Sequence, residues 1–324
     1  VHIYHKQRKA EHIMSITKKP FGIAPDGTPV DLYILTNSEG ASVEITNYGG
    51  ILRAVNVPDR NGVIGNVVLG YPSVEGYTPL KGYLGALIGR VGNRIANGEC
   101  EVNGTKLTLA KNENGITHLH GGAVGFDRKI WQATPLEGIC QDSLILRYTS
   151  PDGEEGYPGT LKVMVTYTFT DYNELLLHYE AVSDKDTLCN LTNHTYFNLG
   201  GEGSGKIYDH LFEFNCDTFT VVDENCIPTG EQRDVTGTPF DLRKRTRLGD
   251  GLDKTDEDEQ MRFGSGYDHN FNINDDDLGL RLAVSVEDPA SGRTMDVFTD
   301  MPAVQFYAGN FIGEQTGKDG VIYN

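Results

Sequence analysis

The sequence predicts an all-β protein, a single large antiparallel β-sandwich, and three observations support this prediction. Apolar and polar residues alternate with a period of two, as in strands that bury one face. Turn dipeptides that contain glycine separate these runs at short intervals. No segment shows the sustained periodicity of an amphipathic helix, and 39 glycines disfavour a helical bundle.

The alternation is clearest in three segments. Residues 161–169 place an apolar side chain at each odd position, with Lys162, Thr166 and Thr168 between them. We therefore expect one buried and one mostly polar face. Two further strands are predicted from the alternating sets Leu175, Leu177, Tyr179 and Ala181, and Leu280, Leu282, Val284 and Val286.

Asn103-Gly104 is the strongest hairpin signal in the sequence. It separates residues 100–102 from residues 105–109, two short runs with strand character. Asparagine and glycine both tolerate the positive φ angles of a two-residue hairpin turn. The sequence therefore predicts two paired strands here.

Length and composition predict one large domain. The chain has 324 residues, 38% of them hydrophobic, and no linker long enough to divide it. The basic and polar start has no apolar stretch after it, so we predict that residues 1–13 are a disordered or non-native leader. Residues 14–324 then form the single β-sandwich domain.

The formal net charge of −18 disfavours binding to nucleic acid. It would repel a phosphate backbone, so we expect no nucleic-acid partner. Five cysteines without a C-x-x-C pair cannot form a complete disulfide framework, which favours a reducing cytoplasm. We also expect no membrane anchor.

Four polar clusters beside glycines are candidates for chemistry. In residues 89–98, Asn93 and Arg94 offer donors for hydroxyl oxygens, although a turn with Arg94 in a structural ion pair is the alternative. In residues 117–122, His118 and His120 at i and i+2 have the spacing of metal ligands on one strand face. No third ligand is evident nearby, and a hydrogen-bonded loop histidine is the commoner case.

The other two clusters lie further along the chain. In residues 193–199, His194 is a candidate for titration near neutral pH, and a core histidine bonded to backbone is the alternative. In residues 266–271, Asp268 either binds a hydroxyl or caps a turn. With no dinucleotide, phosphate-loop, nucleophile-elbow or His-Glu-x-x-His motif in the sequence, sugar-like recognition remains.

Together these clusters resemble the aldose 1-epimerase (galactose mutarotase) family, in order and over nearly the whole chain. The segments that carry the resemblance are Gly92-Asn93-Arg94-Ile95-Ala96, Leu119-His120-Gly121-Gly122, Asn193-His194-Thr195-Tyr196-Phe197-Asn198-Leu199, Tyr267-Asp268-His269 and Gln305-Phe306-Tyr307-Ala308-Gly309-Asn310-Phe311. The resemblance implies the β-sandwich of the galactose mutarotase type, a supersandwich.

The resemblance also implies a function, the interconversion of the α- and β-anomers of a hexose such as galactose or glucose. By it, His194 is the general acid at the ring oxygen, and His120 assists nearby. The residues that would bind the sugar are Asn93, Arg94, Tyr196, Asp268 and Gln305. We expect no cofactor and no metal, a monomer or homodimer, and a small hexose as the partner.

The sequence departs from the family pattern at its end. Family members carry a base glutamate in a Leu-Glu-Thr-Gln-like motif after the segment that resembles residues 317–323, and the sequence stops at Asn324. Glu314 is the nearest carboxylate, but its place matches a variable loop. The resemblance therefore predicts a domain without its C-terminal end, and weak or no activity of residues 1–324 alone.

Three other functions remain open from the sequence. A sugar-binding or sugar-sensing module on the same fold would bind without turnover. An epimerase for a hexose phosphate would need further cations near Arg94 to hold the phosphate. A metal enzyme that uses His118 and His120 would lose activity with a chelator.

Overall fold

The computed structural model describes residues 15–79, 82–274 and 279–323, and the regular secondary structure of these residues is mostly antiparallel strand. The all-β prediction is confirmed. The predicted leader, residues 1–13, lies outside the described residues.

The N-terminal part forms a five-stranded antiparallel sheet in which each strand pairs with the next along the chain. Its second strand is buried on both faces, with Val30 and Leu32 on one face and Tyr33 and Leu35 on the other. The strands are β1 (Ser15–Ile23), β2 (Pro29–Thr36), β3 (Ser42–Thr46), β4 (Leu52–Pro58) and β5 (Ile64–Asn66).

Short elements follow in residues 74–119. They are helix α1 (Val74–Tyr77), strands β6 (Leu87–Ile88) and β7 (Arg94–Ile95), the 3-10 turn Ala96–Gly98, and strands β8 (Glu99–Val102), β9 (Thr105–Thr108) and β10 (His118–Leu119). β8 and β9 pair around Asn103 (φ 48°) and Gly104 (φ 75°), so the predicted hairpin is confirmed. β10 pairs with β7.

A four-stranded meander covers residues 132–183, after the 3-10 turn Phe126–Arg128. Its strands are β11 (Gln132–Leu136), β12 (Gln141–Ser150), β13 (Leu161–Thr170) and β14 (Leu175–Ser183), with the 3-10 turn Glu154–Gly156 before β13. In β13 every predicted odd-numbered residue is buried. In β14 the prediction holds for Leu175, Leu177 and Tyr179, but Ala181 is exposed because β14 ends the sheet.

Two further four-stranded sheets come from the C-terminal half, in the orders β19-β16-β21-β22 and β18-β17-β20-β23. β15 (Thr192–Asn193) pairs with β6 and precedes them. The strands are β16 (Leu211–Phe214), β17 (Thr218–Val222), β18 (Pro228–Asp234), β19 (Thr246–Arg247), β20 (Asp268–Asn272), β21 (Arg281–Glu287), β22 (Thr294–Thr299) and β23 (Ala303–Tyr307). Helices α2 (Leu248–Leu252) and α3 (Glu259–Gly264) precede β20.

The predicted alternation of β21 is wrong in its first half. A register shift between Leu282 and Val284 reverses the faces, so Ala283 is buried while Leu282 is exposed. Leu280 lies before the strand and is 70% exposed. The pattern holds only for Val284 and Val286.

The described residues end in the small pair β24 (Gln315–Thr316) and β25 (Ile322–Tyr323), joined by the 3-10 turn Lys318–Gly320. One continuous apolar core contains residues of the N-terminal sheet, the meander and both C-terminal sheets, with Leu35, Trp131, Tyr167 and Phe271 among them. A shared core is what a single domain requires, and we retain that proposal for residues 14–324.

None of the helices in the described residues is long and apolar enough to span a membrane, since the longest, α3, has six residues.

Candidate functional site

Three short strand pairs deliver the polar clusters to one place. Asn93 stands directly before β7, and His120 directly after its partner β10. His194 follows β15, which pairs with β6. Asp268 begins β20 and Gln305 lies in the paired strand β23. The site is therefore assembled from segments that are up to about two hundred residues apart in the sequence.

Asn93 and His120 bind each other through two reciprocal hydrogen bonds. The backbone N–H of Asn93 donates to Nδ1 of His120 at 2.9 Å, and the backbone N–H of His120 donates to the Asn93 carbonyl at 3.1 Å. Both residues have positive φ, 65° and 50°, which asparagine and histidine tolerate better than most residues. Gly121 follows because a Cβ there would lie 1.8 Å from the Gly89 carbonyl oxygen.

This contact fixes the tautomer of His120. An Nδ1 that accepts a backbone hydrogen bond carries no proton, so the neutral ring carries its proton on Nε2. Burial, with the nearby charges of His194 and Arg94, holds the pKa of His120 well below its ordinary value. His120 is therefore a neutral hydrogen-bond donor at physiological pH.

The His194 ring lies in an aromatic enclosure. Its ring centre is 5.0 Å from that of Tyr196 and 5.8 Å from that of Tyr83, both stacked, and 5.1 Å from His120, edge to face. Tyr307 closes a further side at 6.2 Å. Backbone hydrogen bonds to Ala86 and Gly85 hold the His194 main chain in place. Aromatic faces of this kind also pack against the apolar face of a sugar ring.

Burial lowers the pKa of His194 to about 4. The expectation that this ring titrates near neutral pH is therefore wrong. The cause is physical, because the aromatic neighbours remove water that would stabilise the imidazolium. His194 is neutral at pH 7 unless an ionised carboxylate comes close to it.

Asn93, Gln305 and Asp268 form a line of side-chain hydrogen bonds. The amide of Asn93 donates to Oε1 of Gln305 at 3.2 Å, and Nε2 of Gln305 donates to Oδ1 of Asp268 at 2.8 Å. Burial raises the pKa of the Asp268 carboxyl, although the Gln305 hydrogen bond and Arg94 act in the opposite direction. Of the two interpretations of Asp268, a group aimed at a ligand fits this cross-strand bond better than a turn cap.

Arg94 makes the ion pair that the sequence left open as the alternative to sugar binding. Its Nε and NH2 groups donate to the two carboxylate oxygens of Glu113, each at 2.8 Å. The guanidinium charge is thereby balanced, which disfavours the alternative of a phosphate bound to Arg94.

The structure thus brings together all seven predicted site residues, His194, His120, Asn93, Arg94, Tyr196, Asp268 and Gln305. Sequence reasoning missed Tyr83, which packs on both histidines, and Glu113, which binds Arg94. Tyr83 has a φ of 54°, and Glu113 opens a tight turn. Neither signal is visible in a single sequence.

His118 does not fit the role of a metal ligand beside His120. Its Nδ1 is bonded to the Ala110 carbonyl at 2.8 Å and its Nε2 to the Tyr157 hydroxyl at 2.6 Å. Both ring nitrogens are therefore occupied, as in the alternative of a hydrogen-bonded histidine. Across residues 15–79, 82–274 and 279–323, no three side chains of His, Cys, Asp or Glu are grouped as metal ligands.

Glu113 and Asp268 are the two carboxylates in contact with the predicted site residues, and both already accept hydrogen bonds from protein groups. Glu113 accepts from Arg94 and from the Thr117 hydroxyl, and Asp268 accepts from Gln305. Glu314 is exposed, in the turn before β24. This position agrees with leaving the base role of Glu314 unassigned.

Comparisons with known proteins agree with the family resemblance of the sequence. The profile described as Aldose 1-epimerase matches residues 31–322. The chain is 44% identical over 310 residues to the human protein named galactose mutarotase, covering 95% of this chain and 86% of that one. It is 35% identical over 291 residues to the aldose 1-epimerase of Escherichia coli K12, covering 90% and 82%.

A solved structure gives the same result. The crystal structure of galactose 1-epimerase from Lactobacillus acidophilus superimposes with a TM-score of 0.81 at 32% identity, covering 92% of this chain and 84% of that one. The predicted sandwich of the galactose mutarotase type is thereby confirmed. The chain belongs to the aldose 1-epimerase family.

Proposed function

We propose that this protein interconverts the α- and β-anomers of a hexose such as galactose or glucose, by opening and reclosing the sugar ring. The observation that carries the proposal is the contact between the His120 and His194 rings beside the hydrogen-bonded line Asn93, Gln305 and Asp268. One side offers proton donors and aromatic faces, and the other offers amide and carboxylate groups for hydroxyls.

Ring opening needs one proton delivered and one removed. As the bond between C1 and the ring oxygen breaks, the ring oxygen takes a proton from His194, and the C1 hydroxyl gives its proton to a base, leaving a C1 aldehyde. Rotation about the C1–C2 bond and the reverse transfers close the ring as the other anomer. The catalyst is regenerated, so the cycle consumes nothing.

His120 acts as a fixed donor in this scheme. The Asn93 backbone N–H donates to its Nδ1, so the ring is held in one orientation. The neutral ring therefore carries its proton on Nε2, where it can donate to the sugar. It hydrogen-bonds a hydroxyl or the ring oxygen and positions the sugar against His194.

The base must also set the charge of His194. A carboxylate that ionises within about 4–6 Å of an imidazole raises its pKa. The carboxylates of the described cluster are engaged with Arg94 and Gln305. We therefore propose that a glutamate outside this cluster serves as the base.

Polarimetry tests the proposal. The rotation of freshly dissolved α-D-galactose or α-D-glucose is followed with buffer alone and with the full-length protein. We expect the protein to bring the rotation to equilibrium at least a hundredfold faster than buffer, an acceleration of about the size that one general acid supplies. Sugar binding without any acceleration would instead identify a binding module.

A cytoplasmic location and a monomeric or homodimeric state are part of the same proposal. Five free cysteines, of which Cys140 and Cys189 are exposed, are consistent with a reducing compartment.

A further inference from the structure

We propose that Glu113 is a positioning residue of the sugar site, which holds the Arg94 guanidinium and links it to strand β10, directly before His120. The inference rests on the proposed function, since it assigns to Glu113 a part in the same site. Glu113 lies between β9 and β10, outside the five motifs that carry the resemblance in the sequence.

The first support is the two-bond contact with Arg94. Nε and NH2 of Arg94 donate to separate carboxylate oxygens at 2.8 Å each, the fork geometry that fixes a guanidinium in its plane. The Arg94 side chain is 13% exposed and that of Glu113 is 21% exposed. Rotation of Arg94 would therefore leave a partly buried carboxylate without its partner, which is costly.

The second support is that the ordered guanidinium orders its neighbour. The Arg94 backbone N–H donates to Oδ1 of Asn93 at 2.9 Å, and NH1 approaches the same oxygen at 3.4 Å. Asn93 must then present its Nδ2 on the other side, where it donates to Gln305. Glu113 thus determines, through Arg94, how the side-chain amides of Asn93 and Gln305 are oriented toward the sugar.

The third support is the link to His120. The Thr117 hydroxyl donates to Oε2 of Glu113 at 2.6 Å, and two backbone hydrogen bonds pair Glu113 with Thr117 around a tight turn. Thr117 leads directly into β10, whose Leu119 pairs with Arg94. Arg94, Glu113, Thr117 and β10 therefore form a closed ring of contacts immediately before His120.

Glu113 does not itself react in this account. Its two oxygens accept three hydrogen bonds, from Nε and NH2 of Arg94 and from the Thr117 hydroxyl. A carboxylate engaged in this way is a poor acceptor for a sugar proton. Glu113 acts through Arg94, so its contribution should disappear when Arg94 can no longer respond to it.

The test is a double-mutant cycle on the full-length protein, with Glu113→Gln, Arg94→Met and the double variant. We expect Glu113→Gln to lower kcat/KM about 10²-fold, the size of loss that a misplacement of about 1 Å causes. The loss should appear mostly in KM, since the proton-transfer groups are untouched. In the Arg94→Met background, Glu113→Gln should cost less than threefold.

Asp241→Asn is the matched control. Asp241 holds Arg243 with the same two-bond geometry, 2.8 Å for each bond, and the two side chains are 32% and 33% exposed. Its loss should leave kcat/KM within twofold of the unsubstituted protein. Thermal unfolding of each variant measures the structural part of the effect.

Glu113→Asp is the second variant if Glu113→Gln does not fold. It keeps the charge but is one methylene too short to hold both Arg94 nitrogens and Thr117, so the same rise in KM is expected. Full activity of Glu113→Gln or Glu113→Asp, or an equal loss with and without Arg94, would overturn the positioning role while the mutarotase function stands. Absence of mutarotation by the full-length protein without substitutions would remove the proposed function, and the positioning role with it.

Discussion

Acid should destabilise this fold through His269, and the structure gives the size of the effect. His269 is fully buried beside the sugar site, between Phe219 and Phe240. Its Nδ1 accepts the Asp268 backbone N–H at 3.3 Å, and its Nε2 has no hydrogen-bond partner in the described residues. Burial lowers the pKa of His269 to about 4.

The direction follows from proton linkage. The unfolded chain, in which a histidine has a pKa of about 6.5, takes up the proton first as the pH falls. The unfolded state therefore binds more protons between about pH 6.5 and 4, and the free energy of unfolding falls through this window. For a shift from about 6.5 to about 4, His269 alone should remove about 2 kcal/mol between pH 7 and pH 4.5.

Urea unfolding of the wild type and of His269→Phe, at pH 7 and pH 4.5, measures this contribution. Trp131, the single tryptophan, is buried in the main core and reports unfolding by fluorescence. The variant should lose about 2 kcal/mol less than the wild type over the pH change. His178→Phe, at an exposed position on β14, is the control and should keep the wild-type loss. An identical loss in His269→Phe and wild type would show that His269 does not cause the acid destabilisation.

Three further predictions concern the site. Gln305→Leu removes the bonds to Asn93 and Asp268 and should raise KM about tenfold with little change in stability, since Gln305 is exposed; an unchanged KM would contradict the role of the amide line. Tyr83→Leu opens the aromatic enclosure to water, so the pKa of His194 should rise from about 4, as an NMR titration would record. EDTA should leave mutarotation unchanged, because both ring nitrogens of His118 are engaged in hydrogen bonds; activity restored by added zinc after EDTA treatment would oppose this.

Much of the fold was predictable because strand alternation is a local property. The pattern of β13 and the hairpin at Asn103-Gly104 follow from residues that are neighbours in sequence. The error in β21 has a tertiary cause, since the bulge between Leu282 and Val284 is set by pairing with β22. Exposure of Ala181 likewise depends on β14 lying at a sheet edge.

The site likewise contains residues that could be predicted from the sequence and residues that could not. The seven predicted residues lie in segments whose resemblance to a family can be recognised in the sequence, and the structure brings them together. Glu113 and Tyr83 could not be found, because their importance comes from contacts with residues distant in sequence, Arg94 and His194. The pKa of His194 was also beyond the sequence, since it depends on rings contributed by Tyr83 and Tyr196.

The role of His194 as the acid is tested most directly by the rate of anomer exchange in a His194→Phe variant of the full-length protein. Phenylalanine keeps a flat ring between Tyr83 and Tyr196 but cannot transfer a proton. We expect kcat to fall about 10²–10⁴-fold, while the affinity for the sugar stays within a few fold of the wild type. A rate equal to that of the wild type would contradict the assignment of His194 as the acid.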